Sequence, residues 1–195
     1  NDRPLAEFVQ GVNSECAFLK PIAETMPSIQ SGATPHPDIL NALVDDLVRN
    51  ALVALRIVKR PDDATVRLYS ACEKLAKSRL LEYGIDNSAA PPERLPETLR
   101  EDYCRRYGDA ETPHLQFGLR ASYVLLAELG DPLGARFKAR EKELTAILEV
   151  RNASLMIHGW SPIKHDTSEK LLAILLDFLD RRESDVRPLP HFPER

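Results

Sequence analysis

The chain has 195 residues, of which 43% are hydrophobic, and carries a formal net charge of −4. This length and composition suffice for one domain with a substantial core, and two full domains are not expected. The acidic balance excludes nucleic-acid binding through overall positive charge, so any such contact requires a local patch.

The cysteines and the hydropathy indicate a cytoplasmic protein. Cys16, Cys72 and Cys104 are odd in number and far apart, a pattern typical of reduced thiols and not of a disulfide framework or a zinc site. No apolar run approaches the roughly 20 residues of a membrane span, and no signal peptide is recognisable, so no membrane contact is expected. The chain begins at Asn1 within an apolar pattern, which suggests a piece of a longer protein.

The first half of the chain predicts helices separated by proline and glycine. Residues 4–26 have a helical pattern that Pro21 should interrupt, and the sequence PSIQSGATPHP at 27–37 is typical of a linker. We therefore predict a helical connector and linker over residues 1–35. An apolar stripe over residues 38–59 predicts a long helix, and a second should run from Pro61 to Tyr83. The two are expected to form an antiparallel hairpin.

The second half continues the all-α pattern, because no segment alternates like a strand. Helices are predicted over residues 97–106, 115–129 and 135–158, the last opened by the sequence DPLG with Asp131 as cap. In the final helix, Asp166 and Glu169 have capping-box spacing. We predict one main domain over residues 36–185 and, because prolines recur there, a disordered tail over residues 186–195.

No metal or cofactor site is apparent in the sequence. No two histidines have the i, i+4 spacing of a zinc protease, and phosphate-binding and dinucleotide-binding glycine loops are absent. We therefore expect neither a metal nor a cofactor. The histidines of the chain are His36, His114, His158, His165 and His191.

The stretch EVRNASLMIHGW, residues 149–160, closes the long predicted helix. Arg151 and His158 are seven residues apart, which places them about 20° apart on one helix face and ~10.5 Å apart along the axis. Ser154 lies between them and Asn152 to one side. An arginine can hold a phosphate with two hydrogen bonds, and an imidazole can move a proton near neutral pH. Together they provide the groups needed to cleave RNA through its own 2′-hydroxyl without a metal ion.

The spacing alone does not establish a site. An arginine followed by a histidine at this distance is expected about once by chance in a chain of this composition. Cations at the end of a helix are also commonly there because they interact favourably with the helix dipole.

A longer stretch resembles a known family. The sequence RNASLMIHG is similar to the motif of HEPN ribonucleases, an arginine, usually a polar residue, and a histidine. Residues 50–86 resemble the paired helices of the CRISPR-associated members that accompany type III effector complexes. The sequences LGDPLGARF at 129–137 and HGWSPI at 158–163 are similar to the same group, so the resemblance covers about residues 38–180.

The resemblance implies an all-α HEPN-like helical bundle and an endoribonuclease acting on single-stranded RNA. It implies that Arg151 holds the phosphate and stabilises the transition state, that His158 transfers a proton, and that Asn152 helps to place either group. Ser154 is assigned no catalytic step. Trp160, Lys164 and His165 would line the RNA path, although an ordinary exposed loop explains them equally well.

HEPN ribonucleases resemble one another in acting as dimers, so the resemblance implies a homodimer whose motif helices meet at the two-fold axis. It also implies activation by cyclic oligoadenylate through a Rossmann-like CARF sensor domain, for which these residues contain no βαβ pattern. Two alternatives stay open. One is a non-catalytic helical module for dimerisation or partner binding, and the other is the ribonuclease toxin of a toxin–antitoxin pair.

Overall fold

The computed structural model describes residues 3–109, 112–152 and 161–190. Over these residues the protein is a helical bundle without strands, and an isolated β-bridge pairs Ala90 with Leu115. The predicted all-α class is confirmed, and no helix in the described ranges has the length and apolar character to cross a membrane. The helices are α1 (Arg3–Gln30), α2 (Pro37–Val53), α3 (Pro61–Glu82), α4 (Glu97–Tyr107), α5 (Leu119–Glu128), α6 (Pro132–Asn152) and α7 (His165–Leu179).

The helices α2 and α3 pack along each other as the predicted hairpin. α2 continues as a π-helical turn, Ala54–Val58, and ends at Lys59, whose φ of 59° lies in the left-handed region. Pro61 then opens α3, as expected for a residue that lacks an N–H donor. Leu55 and Leu68 are fully buried, so the hairpin supplies one side of the core.

The predicted helix over residues 115–129 is wrong in its first turn, because α5 begins only at Leu119. The backbone of Leu115 instead exchanges two hydrogen bonds with Ala90, of 2.8 and 2.9 Å, and Phe117 donates its N–H to the Asn87 carbonyl. Because the backbone groups of Leu115 and Phe117 form hydrogen bonds with the loop after α3, these residues do not join the helix.

The start of α6 is where the sequence places it. The Oδ1 atom of Asp131 accepts a hydrogen bond from the N–H of Leu133 at 2.8 Å, which is the expected helix cap. The same fully buried carboxylate binds the guanidinium of Arg79 at 2.6 Å and accepts from the Tyr83 hydroxyl at 3.0 Å. A single aspartate therefore caps α6 and ties it to the end of α3. The described part of α6 ends at Asn152, so the last predicted turns, to His158, lie outside the described residues.

The predicted capping box of the last helix is wrong. The cap position is Lys164, not Asp166, and Glu169 lies one turn inside α7. Glu169 does not bind the backbone of the helix start, because its carboxylate pairs with Arg56. This distant cation provides a stronger partner than a backbone amide.

The first helix runs through Pro21 without the predicted interruption. A proline in a helix removes one backbone hydrogen bond, and the next residue, Ile22, is buried against the domain. At the other end of the chain, Arg187 donates to the Ser14 hydroxyl at 3.1 Å and Pro190 lies against Gly11. Residues 187–190 therefore follow α1.

Gly134 allows α5 and α6 to approach closely. A Cβ atom at this position would lie 2.1 Å from the backbone nitrogen of Ala127 and 2.4 Å from its Cα. Such contacts are with backbone, which cannot move aside as a flexible side chain does.

We expect Gly134→Ala to lower the free energy of unfolding by about 2 kcal/mol, because the clash outweighs the gain in helix propensity. The corresponding fall in Tm is roughly 4–8 °C for a chain of this size. Gly11→Ala is the matched control, since the nearest atom to its Cβ is a Pro190 carbon at 3.4 Å. Thermal unfolding followed by circular dichroism measures both. Equal Tm values for the two variants would contradict the close packing.

Candidate functional site

Arg151 lies in the last described turn of α6, and its guanidinium covers the ring of Tyr69. The Cζ atom is 3.9 Å from the ring centroid. Tyr69 belongs to α3, so this contact joins the end of the motif helix to the helical hairpin. Arg151 is half-buried, and its Nε lies out of contact with solvent without a hydrogen-bond acceptor among the described residues. Such a stack holds the guanidinium plane while leaving its edges for other ligands.

Tyr69 is a neutral platform for this cation. Burial raises the pKa of its hydroxyl to about 12, the Glu73 carboxylate acts in the same direction, and Arg151 acts in the opposite direction. Glu73 also hydrogen-bonds the Tyr69 side chain from one turn further along α3. The ring therefore stays protonated at physiological pH and adds no negative charge that would neutralise Arg151.

Asn152 lies beside the arginine on the solvent side. Its Oδ1 accepts a hydrogen bond from Nη1 of Arg151 at 3.1 Å, and the residue is exposed. Because the side-chain oxygen is used by the arginine, the amide N–H groups remain the part of Asn152 that can donate to a ligand. Arg151 and Asn152 thus form a pair of adjacent donors.

The chain returns to α3 after the motif. Asp62 accepts a hydrogen bond from the backbone N–H of Ile163 at 2.9 Å, and the buried Ser168 hydroxyl donates to the Pro61 carbonyl at 3.0 Å. Asp62 and Tyr69 are seven residues apart on α3, which places them about 20° apart around the helix and ~10.5 Å apart along it. Arg151 and Ile163 are therefore fixed to the same side of one helix.

Two of the three predicted catalytic residues are described, and the third is not. Arg151 and Asn152 are consecutive residues of α6, whereas Ser154, His158 and Trp160 lie outside the described residues. The structure therefore gives a location for the arginine half of the motif.

Lys164 and His165 lie where α7 begins, directly after the anchor at Ile163. Lys164 is exposed at the cap position, and the Nε2 atom of His165 is 3.4 Å from Oε1 of Glu169. Lys164 has no ion-pair partner among the described residues. Of the two, Lys164 therefore retains the more available positive charge.

An ionic cluster fixes this helix start to the hairpin. Arg56, in the π-helical turn, binds both Glu169 at the start of α7 and Glu183 after its end. Hydrogen bonds from Arg56 lower the pKa of both carboxyl groups, and the two carboxylates raise the pKa of Arg56. The cluster thus clamps α7 at both ends.

Sequence reasoning did not find Tyr69, Glu73 or Asp62. All three lie on α3 within the stretch that resembles the family's paired helices, but none belongs to the motif. The available signal was the spacing of polar and aromatic residues at positions 62, 69 and 73, which marks one helix face apart from the apolar core stripe.

The sequence model of the family described as Csm6 HEPN domain matches residues 36–182. The chain belongs to this family. The match covers well over half of the 195 residues and includes the hairpin, the capped start of α6 and the motif. No curated protein gives a significant match to the chain.

Membership makes the chain a CRISPR-associated HEPN domain, and the all-α bundle agrees with the HEPN fold. HEPN domains are generally ribonucleases, so the match supports ribonuclease activity in CRISPR defence.

We expect Arg56→Gln to destabilise the domain by about 1 kcal/mol at pH 7, near the upper end for partly exposed ion pairs. Because the pKa of Glu169 and Glu183 is lowered in the folded state, this stabilisation is present above the unfolded value of 4.5. It is lost as the pH falls through the folded pKa. The difference from the parent chain should therefore shrink between about pH 5 and pH 3, as measured by urea unfolding.

Arg105→Gln is the control for this experiment. Arg105 forms an exposed ion pair within α4 and has a side-chain exposure of 74%, so its loss should change stability little at pH 7. A difference between the Arg56 variant and the parent chain that stays constant from pH 7 to pH 3 would contradict the role of the cluster.

Proposed function

We propose that this domain cleaves single-stranded RNA by attack of a ribose 2′-hydroxyl on the adjacent phosphodiester, without a metal ion, and leaves cyclic-phosphate ends. The proposed catalytic residues are Arg151, Asn152 and His158. The observation that supports this most strongly is the guanidinium of Arg151, which is held by the Tyr69 ring and has no carboxylate partner in the described part of the chain.

Several other arginines are paired with carboxylates, although the half-buried Arg100 donates to the carbonyl oxygens of Pro92 and Leu95. Arg49 binds Glu15 and Asp46, Arg56 binds Glu169 and Glu183, and Arg79 binds Asp131.

Their charges are neutralised within the fold, whereas the charge of Arg151 stays available for an anion. An arginine fixed in plane presents its N–H groups in the geometry that suits two phosphoryl oxygens. As negative charge builds on these oxygens during attack, Arg151 would stabilise the transition state more than the ground state. Asn152, a neighbouring donor, would orient the same phosphate.

His158 is the proposed proton-transfer group. The proton of the 2′-hydroxyl must leave as its oxygen bonds to phosphorus, and the departing 5′-oxygen must gain a proton as its bond breaks. An imidazole serves either step near neutral pH. One copy of the motif helix supplies one such imidazole, so we propose that two copies form a composite site at a two-fold axis, with two arginines and two histidines.

Lys164 and Trp160 are proposed to contact the RNA beyond the cleaved bond. The exposure of Lys164 and its place directly after the Ile163 anchor support a contact with the RNA backbone. Trp160 would supply a stacking surface for a base. We further propose that cyclic oligoadenylate activates cleavage through a CARF domain that accompanies this domain.

Cleavage of a labelled single-stranded RNA in excess EDTA tests the mechanism. We expect the parent chain to retain activity, because no metal takes part, and Arg151→Ala and His158→Ala each to lose at least about a hundredfold in rate. Arg151→Lys should also lose activity, since it keeps the charge but not the planar fork. Loss of cleavage in EDTA, or unchanged cleavage by the Ala variants, would contradict the proposed mechanism.

The composite site has a separate control. An excess of the Arg151→Ala chain should suppress the activity of the parent chain, because mixed dimers contain an incomplete site. Sedimentation of the active sample reports its oligomeric state. A monomer with full activity would contradict the composite site and leave the roles of Arg151 and His158 in place.

Tyr69 is proposed to position Arg151. We expect Tyr69→Phe to retain activity, since the ring face remains, and Tyr69→Leu to lose about tenfold, the loss of one cation–π contact. In the Arg151→Ala background, Tyr69→Leu should cause no further loss, because its effect acts through the arginine. Equal effects of the Phe and Leu variants, at equal Tm, would refute this role.

A further inference from the structure

A cleft opens beside α3, one turn beyond the Tyr69 ring that holds Arg151. Its volume is about 340 Å³, which suits one small ligand group. We call it the α3 cleft. Its lining consists of Glu73, Lys74 and Lys77 from α3, residues 87–88 from the loop that follows α3, and residues 116–119 at the start of α5.

The α3 cleft adjoins the Arg151 site through Glu73. The Tyr69 ring lies 3.9 Å from the Arg151 guanidinium, and the Glu73 carboxylate, which lines the cleft, hydrogen-bonds the Tyr69 side chain. Glu73 follows Tyr69 by four residues, about one turn or ~6 Å along α3. Stacked nucleotides rise about 3.4 Å each. One or two nucleotides therefore reach from a phosphate at Arg151 to the cleft.

Glu73 and Lys74 lie next to each other in the cleft without being paired. Both are half-buried, and neither forms an ion pair among the described residues. Glu73 reaches back one turn to Tyr69, and Lys74 reaches back one turn to the Ser70 hydroxyl, at 2.9 Å. Both side chains therefore lean towards the end of α3 that is nearer to Arg151. A carboxylate with free acceptor positions thus lies beside an ammonium with free donor positions.

The other charged group of the lining is satisfied within the fold. Lys77 binds the Asp86 carboxylate at 2.9 Å and donates to the Ser88 hydroxyl at 2.8 Å. Beside it, the Asn87 amide donates to the Ser122 hydroxyl at 2.9 Å, whereas its Oδ1 is buried and has no donor in the described part of the chain. Glu73 and Lys74 are therefore the charged groups of the lining that remain available to a ligand.

We infer, on the basis of the proposed ribonuclease function, that the α3 cleft binds a guanine base of the RNA, one or two nucleotides from the cleaved bond. Guanine presents two neighbouring N–H donors, at N1 and at the N2 amino group, next to the O6 acceptor. A carboxylate accepts from both donors, and an ammonium donates to O6. Glu73 and Lys74 supply these two groups in adjacent positions.

The other bases match this pair of side chains less well. Cytosine offers a single amino donor, and uracil offers a single N–H between two carbonyl acceptors. Adenine places the N1 acceptor beside its amino group, where it would face a carboxylate oxygen. Discrimination by hydrogen bonds of this kind is large, because a wrong base leaves polar groups of the site unpaired.

Binding of RNA that cannot be cleaved tests the inference separately from the reaction. The probes are short 2′-O-methyl uracil oligomers with one central guanine, adenine, cytosine or uracil, and the anisotropy of an attached fluorophore measures Kd. We expect the full chain to bind the guanine oligomer at least about tenfold more tightly than the others. His158→Ala should show the same preference, since it removes a proton-transfer group and leaves the cleft intact.

Glu73→Gln tests the role of the carboxylate. The amide oxygen still accepts from the Tyr69 hydroxyl, so Arg151 keeps its position. The amide has one acceptor and one donor, however, which is the pattern that pairs with adenine. The preference for guanine over adenine should therefore fall at least about tenfold. Lys74→Met should weaken binding of the guanine oligomer about fivefold, because the donor to O6 is lost.

Glu101→Gln and Lys138→Met are the matched controls. They make the same chemical changes at exposed positions of α4 and α6, outside the cleft. The ratio of affinities for the four oligomers should stay as in the parent chain. Thermal unfolding of each variant verifies that it is folded.

The inference is overturned by equal affinities for the four oligomers, by absence of binding, by preference for a base other than guanine, or by equal behaviour of Glu73→Gln and Glu101→Gln. RNA cleavage in EDTA together with equal affinities would refute the cleft and leave the mechanism in place. A guanine preference in a chain whose cleavage is unchanged by Arg151→Ala and His158→Ala would do the reverse.

Discussion

The helical bundle depends on the contacts made by the buried side chain of Tyr123. It lies on α5 and donates its hydroxyl proton to the Cys72 carbonyl of α3 at 3.0 Å. Its ring stacks on Phe137 of α6 at 5.0 Å and meets Phe178 of α7 at 5.3 Å. One aromatic residue thus joins four helices, and burial raises the pKa of its hydroxyl, so it stays a hydrogen-bond donor. The direction of α6, and with it the location of Arg151, follows from this junction.

The arginines of this domain differ in the groups that bind their guanidinium. Several that stabilise the fold are paired with carboxylates, as Arg79 is with the buried Asp131. Arg151 is instead held by an aromatic ring, which restricts its orientation without cancelling its charge. This distinction supports the proposal that an acidic chain presents a local anion site at Arg151. The net charge describes the average field around the protein, whereas a single guanidinium without a carboxylate partner attracts an anion in its immediate vicinity.

The first helix is held against the domain along one side. One face is attached to α2 and to the residues after α7, through Glu15, Phe18 and Gly11. α1 lies before the region that matches the family, which begins at residue 36.

The sequence by itself determined the elements whose signals are local. The apolar period, the prolines at helix starts and the Asp131 cap act within a few residues, so the hairpin and the start of α6 were predicted correctly. Arg151 and Asn152 lie on α6, within the long helix that the sequence predicts. These features depend on hydrogen bonds and torsion angles that are determined by residues close in the sequence.

Only the tertiary structure decided the features whose partners are distant in the chain. Leu115 is not helical, because its backbone N–H and carbonyl form hydrogen bonds with Ala90. Glu169 does not cap α7, because its carboxylate binds Arg56. The Tyr69 platform under Arg151 is of the same kind. Such contacts form when folding brings separate helices together, and the free energy of a charged or buried contact then exceeds the local preference that the sequence pattern reports.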